Sequence, residues 1–287
     1  MAKYLITGAD GQLGQCFQAI AHEFSSDELI FVNQDKVDIT STESLKNFYS
    51  NNPFEGIINC AAYTFVEKAE KEEQKANHIN AFGVKNLGAF AKDNSLFVVH
   101  FSTDHVFDGN NSRPYNEEDR KNPINKYGKS KHKGEELLKK IKCTHTTFRI
   151  SWLFSPFGNN FVKTIYKLTE TEKQIKVVND QWGRPTYGID LARVVLQNIS
   201  KSIFFNYDSY NYGQLGVTTW SEFASKILKH KNNSLNIIPC LSSEYSSKVK
   251  RPRYAVLDTT RIESHFSLKI LNWELALKDC MNRIQRS

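Results

Sequence analysis

The segment Gly8-Ala9-Asp10-Gly11-Gln12-Leu13-Gly14 constrains the fold of this chain more than any other. It follows an apolar run, Tyr4-Leu5-Ile6, and opens an amphipathic stretch from Gln12 to Phe24, which puts a G-x-x-G-x-x-G turn at the first strand-to-helix junction. Glycines there permit a tight turn, bring backbone amides close to a pyrophosphate and let helix and strand pack closely. The helix N-terminus adds unpaired N–H groups and a favourable dipole. An ordinary strand-to-helix connection does not need three regularly spaced glycines, so a dinucleotide site is expected here.

The pattern then repeats. Leu29-Ile30-Phe31-Val32, Gly56-Ile57-Ile58-Asn59, 96–101 and 146–150 read as strands, and the spacing predicts helices over 42–49, 67–92 and 125–141. Strands alternating with helices imply right-handed crossovers and a doubly wound parallel sheet of Rossmann type, an α/β fold. Beyond 150 the alternation loosens. Residues 1–150 are therefore expected to form an NAD(P)-binding domain, and 151–287 mostly a smaller C-terminal α+β substrate domain, with a helix near 188–199 that could return to the first sheet. Residues 204–216 and 241–250, rich in Ser, Asn and Tyr, read as loops, while 219–230 and 273–284 read as helices.

Bulk properties narrow the function classes. A chain of 287 residues, 40% hydrophobic, can bury one large core or two unequal ones. Its net charge of +7 is dispersed among carboxylates, so charge alone identifies no partner. The five cysteines are widely spaced and contain no CxxC pair, which points to a reducing cytoplasm and away from a disulfide framework or zinc cluster. No histidine stands at a metal-ligand spacing, so no metal is expected. No apolar run reaches the ~18 residues of a membrane span, so a soluble protein without a membrane partner is expected. Lys126, Lys129, Lys131 and Lys133 cluster, but without a recognition motif they read as a solvated helix face rather than a nucleic-acid site.

About 20 residues past the last glycine, where such folds meet the adenosine ribose, stand Asn33-Gln34-Asp35. A carboxylate there favours NADH and a nearby base favours NADPH; Asp35 and Lys36 are adjacent, so both cofactors stay open.

The candidate chemistry lies farther on. The fourth strand ends in Ser102-Thr103-Asp104, at the carboxyl edge where ligands bind in doubly wound sheets, and Tyr127 and Lys131 are spaced to share one face of the following helix. Ketone reduction needs a proton for the developing alkoxide. A phenol supplies it most readily if its pKa falls from ~10, and a neighbouring Lys131 ammonium is expected to produce that fall. Thr103 would stabilise charge on the same oxygen. Y-x-x-x-K alone is common; the order of glycine turn, strand-end hydroxyl and Tyr/Lys helix is what one mechanism requires.

These residues resemble the extended short-chain dehydrogenase/reductase superfamily and, within it, the dTDP-4-dehydrorhamnose reductase family. The likeness rests on residues 6–14, Asn59-Cys60-Ala61-Ala62-Tyr63-Thr64, Ser102-Thr103-Asp104-His105-Val106-Phe107-Asp108-Gly109, Tyr127-Gly128-Lys129-Ser130-Lys131, 149–154 and 158–162. The resemblance implies reduction of the 4-keto group of dTDP-4-dehydro-L-rhamnose to dTDP-L-rhamnose by NADPH or NADH, with Thr103, Tyr127 and Lys131 catalytic. It implies a cofactor held by Gly8, Gly11, Gln12, Leu13, Gly14, Asp38, Ile39, Ala61, Ala62, Tyr63, Tyr127 and Lys131. It places a nucleotide sugar against Thr103, Asp104, Trp152, Asn160 and Arg253, with Arg251 the alternative to Arg253 at the diphosphate. Trp152 also reads as a core indole, and the two arginines as exposed loop charges. His105 stands where the family usually has Tyr. Gln15 replaces an acidic residue that serves an interfacial magnesium ion in some members, so no metal is carried over, and a homodimer is left open. A ketoreductase for another nucleotide-linked deoxysugar fits the same machinery. A non-catalytic dinucleotide-binding regulatory subunit fits less well, since it needs no Tyr/Lys pair.

Overall fold

Six parallel strands build the central sheet, in the order Ser209–Tyr212, β5 (Thr144–Ile150), β4 (Phe97–Thr103), β3 (Gly56–Asn59), β1 (Lys3–Thr7) and β2 (Glu28–Val32). The structure, a computed structural model, describes residues 1–247 and 249–286. The inner strands read as unbroken apolar runs because helices cover both faces: Leu5, Ile6, Ile57, Ile58, Val98 and Val99 are all fully buried. On one face α1 (Gln12–Ile20) inserts Leu13, Cys16, Phe17 and Ile20 at helical spacing. On the other, α2 (Thr42–Asn51) and the helix Val84–Asp93 close a second core around Leu45, Val84, Leu87 and Phe90. Ser41 caps α2, its hydroxyl accepting from the Ser44 N–H at 3.2 Å.

The chain is less regular than expected over 67–92. Helices Val66–Ala69 and Glu73–Asn77, a π-helical turn His78–Gly83 and the helix Val84–Asp93 replace one continuous helix. The buried amide of Asn80 accounts for the turn: it accepts from Tyr63 N at 2.9 Å and donates to Tyr63 O and Ser130 Oγ, each at 2.9 Å, tying this segment to the third strand's exit and to the helix Lys126–Ile141.

Past Ile150 the chain alternates between two regions. The helix Gly188–Asn198 packs on α1, with Gly188 against Cys16 Sγ, and Ser209–Tyr212 adds the sheet's sixth strand. The latter lies within residues expected to be a loop, and this corrects the sequence reading. Tyr210 and Tyr212 are fully buried, and loop residues 115–117 take up two donors of Asn211: Asn211 N donates to Glu117 Oε1 and Asn211 Nδ2 to Tyr115 O, both at 2.8 Å. The remainder is α+β: Gln174–Val178 pairs in parallel with Asn236–Cys240, and the helices Phe161–Leu168, Trp220–Lys231 and Trp273–Arg286 surround Phe223. Among the described residues, no helix is long and apolar enough to cross a membrane.

Candidate active site

The glycine turn leaves room for a ligand and forbids side chains. Gly8 has φ +63°, and a Cβ there would lie 2.7 Å from the Ala61 backbone; a Cβ on Gly14 would lie 2.4 Å from Gly8 O. Gly11 precedes the helix without a side-chain cap, so the first-turn N–H groups of α1 have no capping partner. A cavity of about 290 Å³ opens beside this turn, lined by Gly8, Gly11, Asn33, Asp38, Ile39 and Ala61 among others, with Ala62 also at its wall. A close backbone approach next to unpaired amides suits the donor needs of a dinucleotide.

The expected cofactor residues do not all reach this cavity. Gly8, Gly11, Asp38, Ile39, Ala61 and Ala62 do. Leu13 belongs to the core, Gln12 donates to Leu153 O at 3.2 Å, and buried Tyr63 turns its hydroxyl to Glu72 Oε2 at 3.2 Å while packing beside Tyr127. Asp38 binds the Thr40 amide and hydroxyl at 2.8 and 2.7 Å. Burial raises its pKa, but those bonds outweigh the effect and hold the carboxyl below its usual range. Asn33 and Gln34 line this cavity, whereas Asp35 and Lys36 lie exposed outside it.

At the carboxyl end of β4 the reacting groups converge. Thr103 is buried; its hydroxyl donates to Asp104 Oδ1 at 2.9 Å and accepts from His105 N at 3.2 Å. Lys131 is 2% exposed and donates from Nζ to Phe101 O at 2.6 Å. Burial pushes its pKa down to about 8, with Glu135 one turn on opposing the fall. Burial also raises Asp104 to about 7, against the Thr103 bond, two backbone bonds and the Arg251 charge.

The Tyr127 phenol departs from expectation. Burial raises it well above its ordinary value, the Thr103 bond opposes this and the Asp104 charge adds to it. Lys131 does not depress it, because that ammonium is directed at the Phe101 carbonyl.

A second cavity, of about 920 Å³, lies between this edge and the C-terminal region, lined by Ile124, Phe161, Trp220, Lys250, Arg251 and Arg253 among others. Arg253 is exposed at its wall, while Arg251 pairs with Glu67 Oε1 at 2.8 Å. Trp152 holds a left-handed φ of +47° and stacks on Trp220 at 3.7 Å between ring centroids, with Gly183 beneath it where no Cβ fits. Asn160 is committed locally: Nδ2 donates to Ser155 O and Phe157 O at 2.9 and 3.0 Å, and Oδ1 caps Phe161–Leu168 by accepting from Lys163 N at 3.2 Å. Its amide hydrogens are therefore occupied by the chain itself. Trp220 and Lys250 were not singled out in the sequence, and Phe161 entered only as part of the matching stretch 158–162. Asn125 was missed too, although an Asn just before a helical run is a readable cap signal.

Sheet, turn and crevice define a Rossmann-type α/β protein. Residues 2–286 match the family model described as RmlD substrate binding domain. The spore coat polysaccharide biosynthesis protein SpsK of Bacillus subtilis (strain 168) is 35% identical over 97% of this chain and 96% of its own length. A dTDP-4-dehydrorhamnose reductase of Aggregatibacter actinomycetemcomitans is 35% identical over 97% of this chain and 98% of its own. The crystal structure of dTDP-4-dehydrorhamnose reductase from Bacillus anthracis str. Ames in complex with NADP matches with TM-score 0.94 and 33% identity, covering 99% of this chain and 100% of that one. The chain belongs to the RmlD substrate binding domain family, within the extended short-chain dehydrogenase/reductases.

Proposed function

We propose that this protein reduces the 4-keto group of dTDP-4-dehydro-L-rhamnose to dTDP-L-rhamnose, with NADPH or NADH as reductant and Tyr127 as proton donor. The observation that carries the reading is the placing of Thr103 at the carboxyl end of β4 and of Tyr127 against the ring of the nearby His105, with the buried Lys131 one turn along the same helix. The bound nicotinamide would supply the hydride. Gly8, Gly11, Asp38, Ile39, Ala61 and Ala62 would hold the dinucleotide, and Arg253 would meet the substrate's diphosphate.

Burial keeps the Tyr127 phenol protonated, so the acid is present at Oη before reaction. As charge grows on the ketone oxygen, that oxygen becomes more basic than a phenolate, and the proton passes from Tyr127 Oη to it. Thr103 Oγ1 stabilises the same charge. Lys131, fixed on Phe101 O, orients the strand end that presents Thr103. Trp152 and Trp220, stacked, wall the sugar side.

The test is to mix the purified protein with dTDP-4-dehydro-L-rhamnose and NADPH or NADH, follow nicotinamide absorbance, and determine the product's C4 configuration by NMR. Stoichiometric oxidation with a rhamno product is expected. Absence of oxidation with any 4-keto sugar nucleotide would overturn the reading in favour of a regulatory role.

A further inference from the structure

We infer that Asn125 is a positioning residue for the reduction, its one side-chain amide setting the Tyr127 helix, the His105 ring and the loop bearing Arg251 and Arg253 in a single register. The inference rests on the placement of Tyr127 proposed above.

Asn125 is 3% exposed and every hydrogen of its amide is used. Oδ1 accepts from Gly128 N at 2.8 Å, capping the helix Lys126–Ile141. Nδ2 donates to His105 Nδ1 at 2.9 Å and to Lys250 O at 3.0 Å. The orientation of the amide follows from its partners: Gly128 N can only donate and Lys250 O can only accept. Since Nδ2 only donates, His105 Nδ1 must accept, so the imidazole is neutral with its proton on Nε2.

Each partner belongs to a different part of the crevice. His105 follows Thr103 and Asp104, and its ring stands edge-on to Tyr127, with centroids 5.6 Å apart at 78°. The helix start also rests on the His105 backbone, because a Cβ on Gly128 would lie 2.2 Å from His105 O. Lys250 lies in the cavity-wall stretch that runs on through Arg251 and Arg253 and is pinned again where Tyr254 N donates to Gly109 O at 3.2 Å. A slide of that loop must therefore move the His105 ring and, with it, the phenol. Capping does not explain this: Ser or Asp caps a helix as well as Asn, using an acceptor alone, and the two N–H bonds are surplus to that task.

The charged and titratable groups around His105 are Asp104 beside it in the chain, the Tyr127 phenol and the Arg251 guanidinium. Burial, then Arg251, lowers the imidazole to about 4. It therefore stays neutral in wild-type protein at ordinary pH.

Asn125→Ser and Asn125→Asp keep the cap acceptor and remove the donors. In both variants the NADPH Kd is expected to stay within about two-fold of wild type, while kcat/KM for the sugar nucleotide falls roughly 10- to 100-fold, the scale of a small misplacement of reacting groups. In Asn125→Asp the new carboxylate also draws a proton to His105 Nδ1, seen as a doubly protonated ring in 15N NMR at pH 6. Wild-type kinetic constants in both variants, with unchanged ring signals, would reduce Asn125 to a cap and overturn the inference. If both variants fail to fold, the wild-type spectrum decides: a His105 proton on Nδ1 overturns the clamp, and one on Nε2 upholds it. A wild-type protein that reduces no sugar nucleotide refutes the proposed reaction instead, and the same ring signals still judge the clamp.

Discussion

Lys131 Nζ donates to the carbonyl oxygen of Phe101 at 2.6 Å, so the ammonium one helical turn from Tyr127 anchors the strand that presents Thr103. Burial holds its pKa at about 8. A cation with a lowered pKa is charged below that value and neutral above it. The kcat/KM, which reports the free enzyme's groups, is therefore expected to be level from pH 6 to about 7.5 and to decline with a midpoint near 8. A profile that stays level to pH 9.5 would contradict this.

Tyr127→Phe removes the proposed proton donor and leaves the ring beside His105. Turnover is expected to fall by about 10²- to 10⁴-fold, with NADPH affinity changed by less than about three-fold. Stopped-flow hydride transfer and fluorescence titration separate the two quantities. A variant with wild-type turnover would remove Tyr127 from its proposed role.

Asp104 makes folding stability depend on pH. Its carboxyl is raised to about 7, chiefly by burial, whereas in the unfolded chain it titrates near ~3.9. Between these values the folded state holds the extra proton, so the contribution is full below about pH 4 and disappears as pH climbs through about 7. Asp104→Asn, permanently neutral, is expected to flatten the fall in Tm between pH 5 and 8, measured by differential scanning calorimetry. An unchanged slope would assign that dependence to other groups.

Glu135 and Arg149 form a buried bidentate pair under the same helix, with contacts of 3.1, 3.1 and 2.8 Å. Removing one partner strands the other charge. Glu135→Gln is expected to cost about 3–5 kcal/mol in urea unfolding, whereas replacing both residues by apolar ones of similar volume should cost much less.

Where segments explain themselves locally, the sequence was a good guide. The apolar runs of β1, β3 and β4 and the amphipathic face of α1 needed no partner to be read, and the G-x-x-G-x-x-G turn announced its own backbone geometry. Ser209–Tyr212 escaped because the bonds of Asn211 are made with Tyr115 and Glu117, nearly a hundred residues away in the chain. The break at His78–Gly83 escaped because helical periodicity runs through it and only the tertiary bonds of Asn80 require it. In the site, spacing placed Tyr127 and Lys131 on one helix, but the direction of the Lys131 ammonium was set by the Phe101 carbonyl and not by the Tyr/Lys interval. Likewise, the capping half of Asn125 was readable, and its bonds to His105 and Lys250 exist only in three dimensions.

The sixth strand has a consequence for how this chain can be divided. β5 has β4 on one side and Ser209–Tyr212 on the other, so a fragment ending at Ile150 would present β5 as a bare edge, with ladder groups unpaired and the surface beneath Tyr210 wetted. A nascent chain meets the same difficulty until roughly three quarters of it has been made. Any attempt to express residues 1–150 alone must therefore carry this late strand with it.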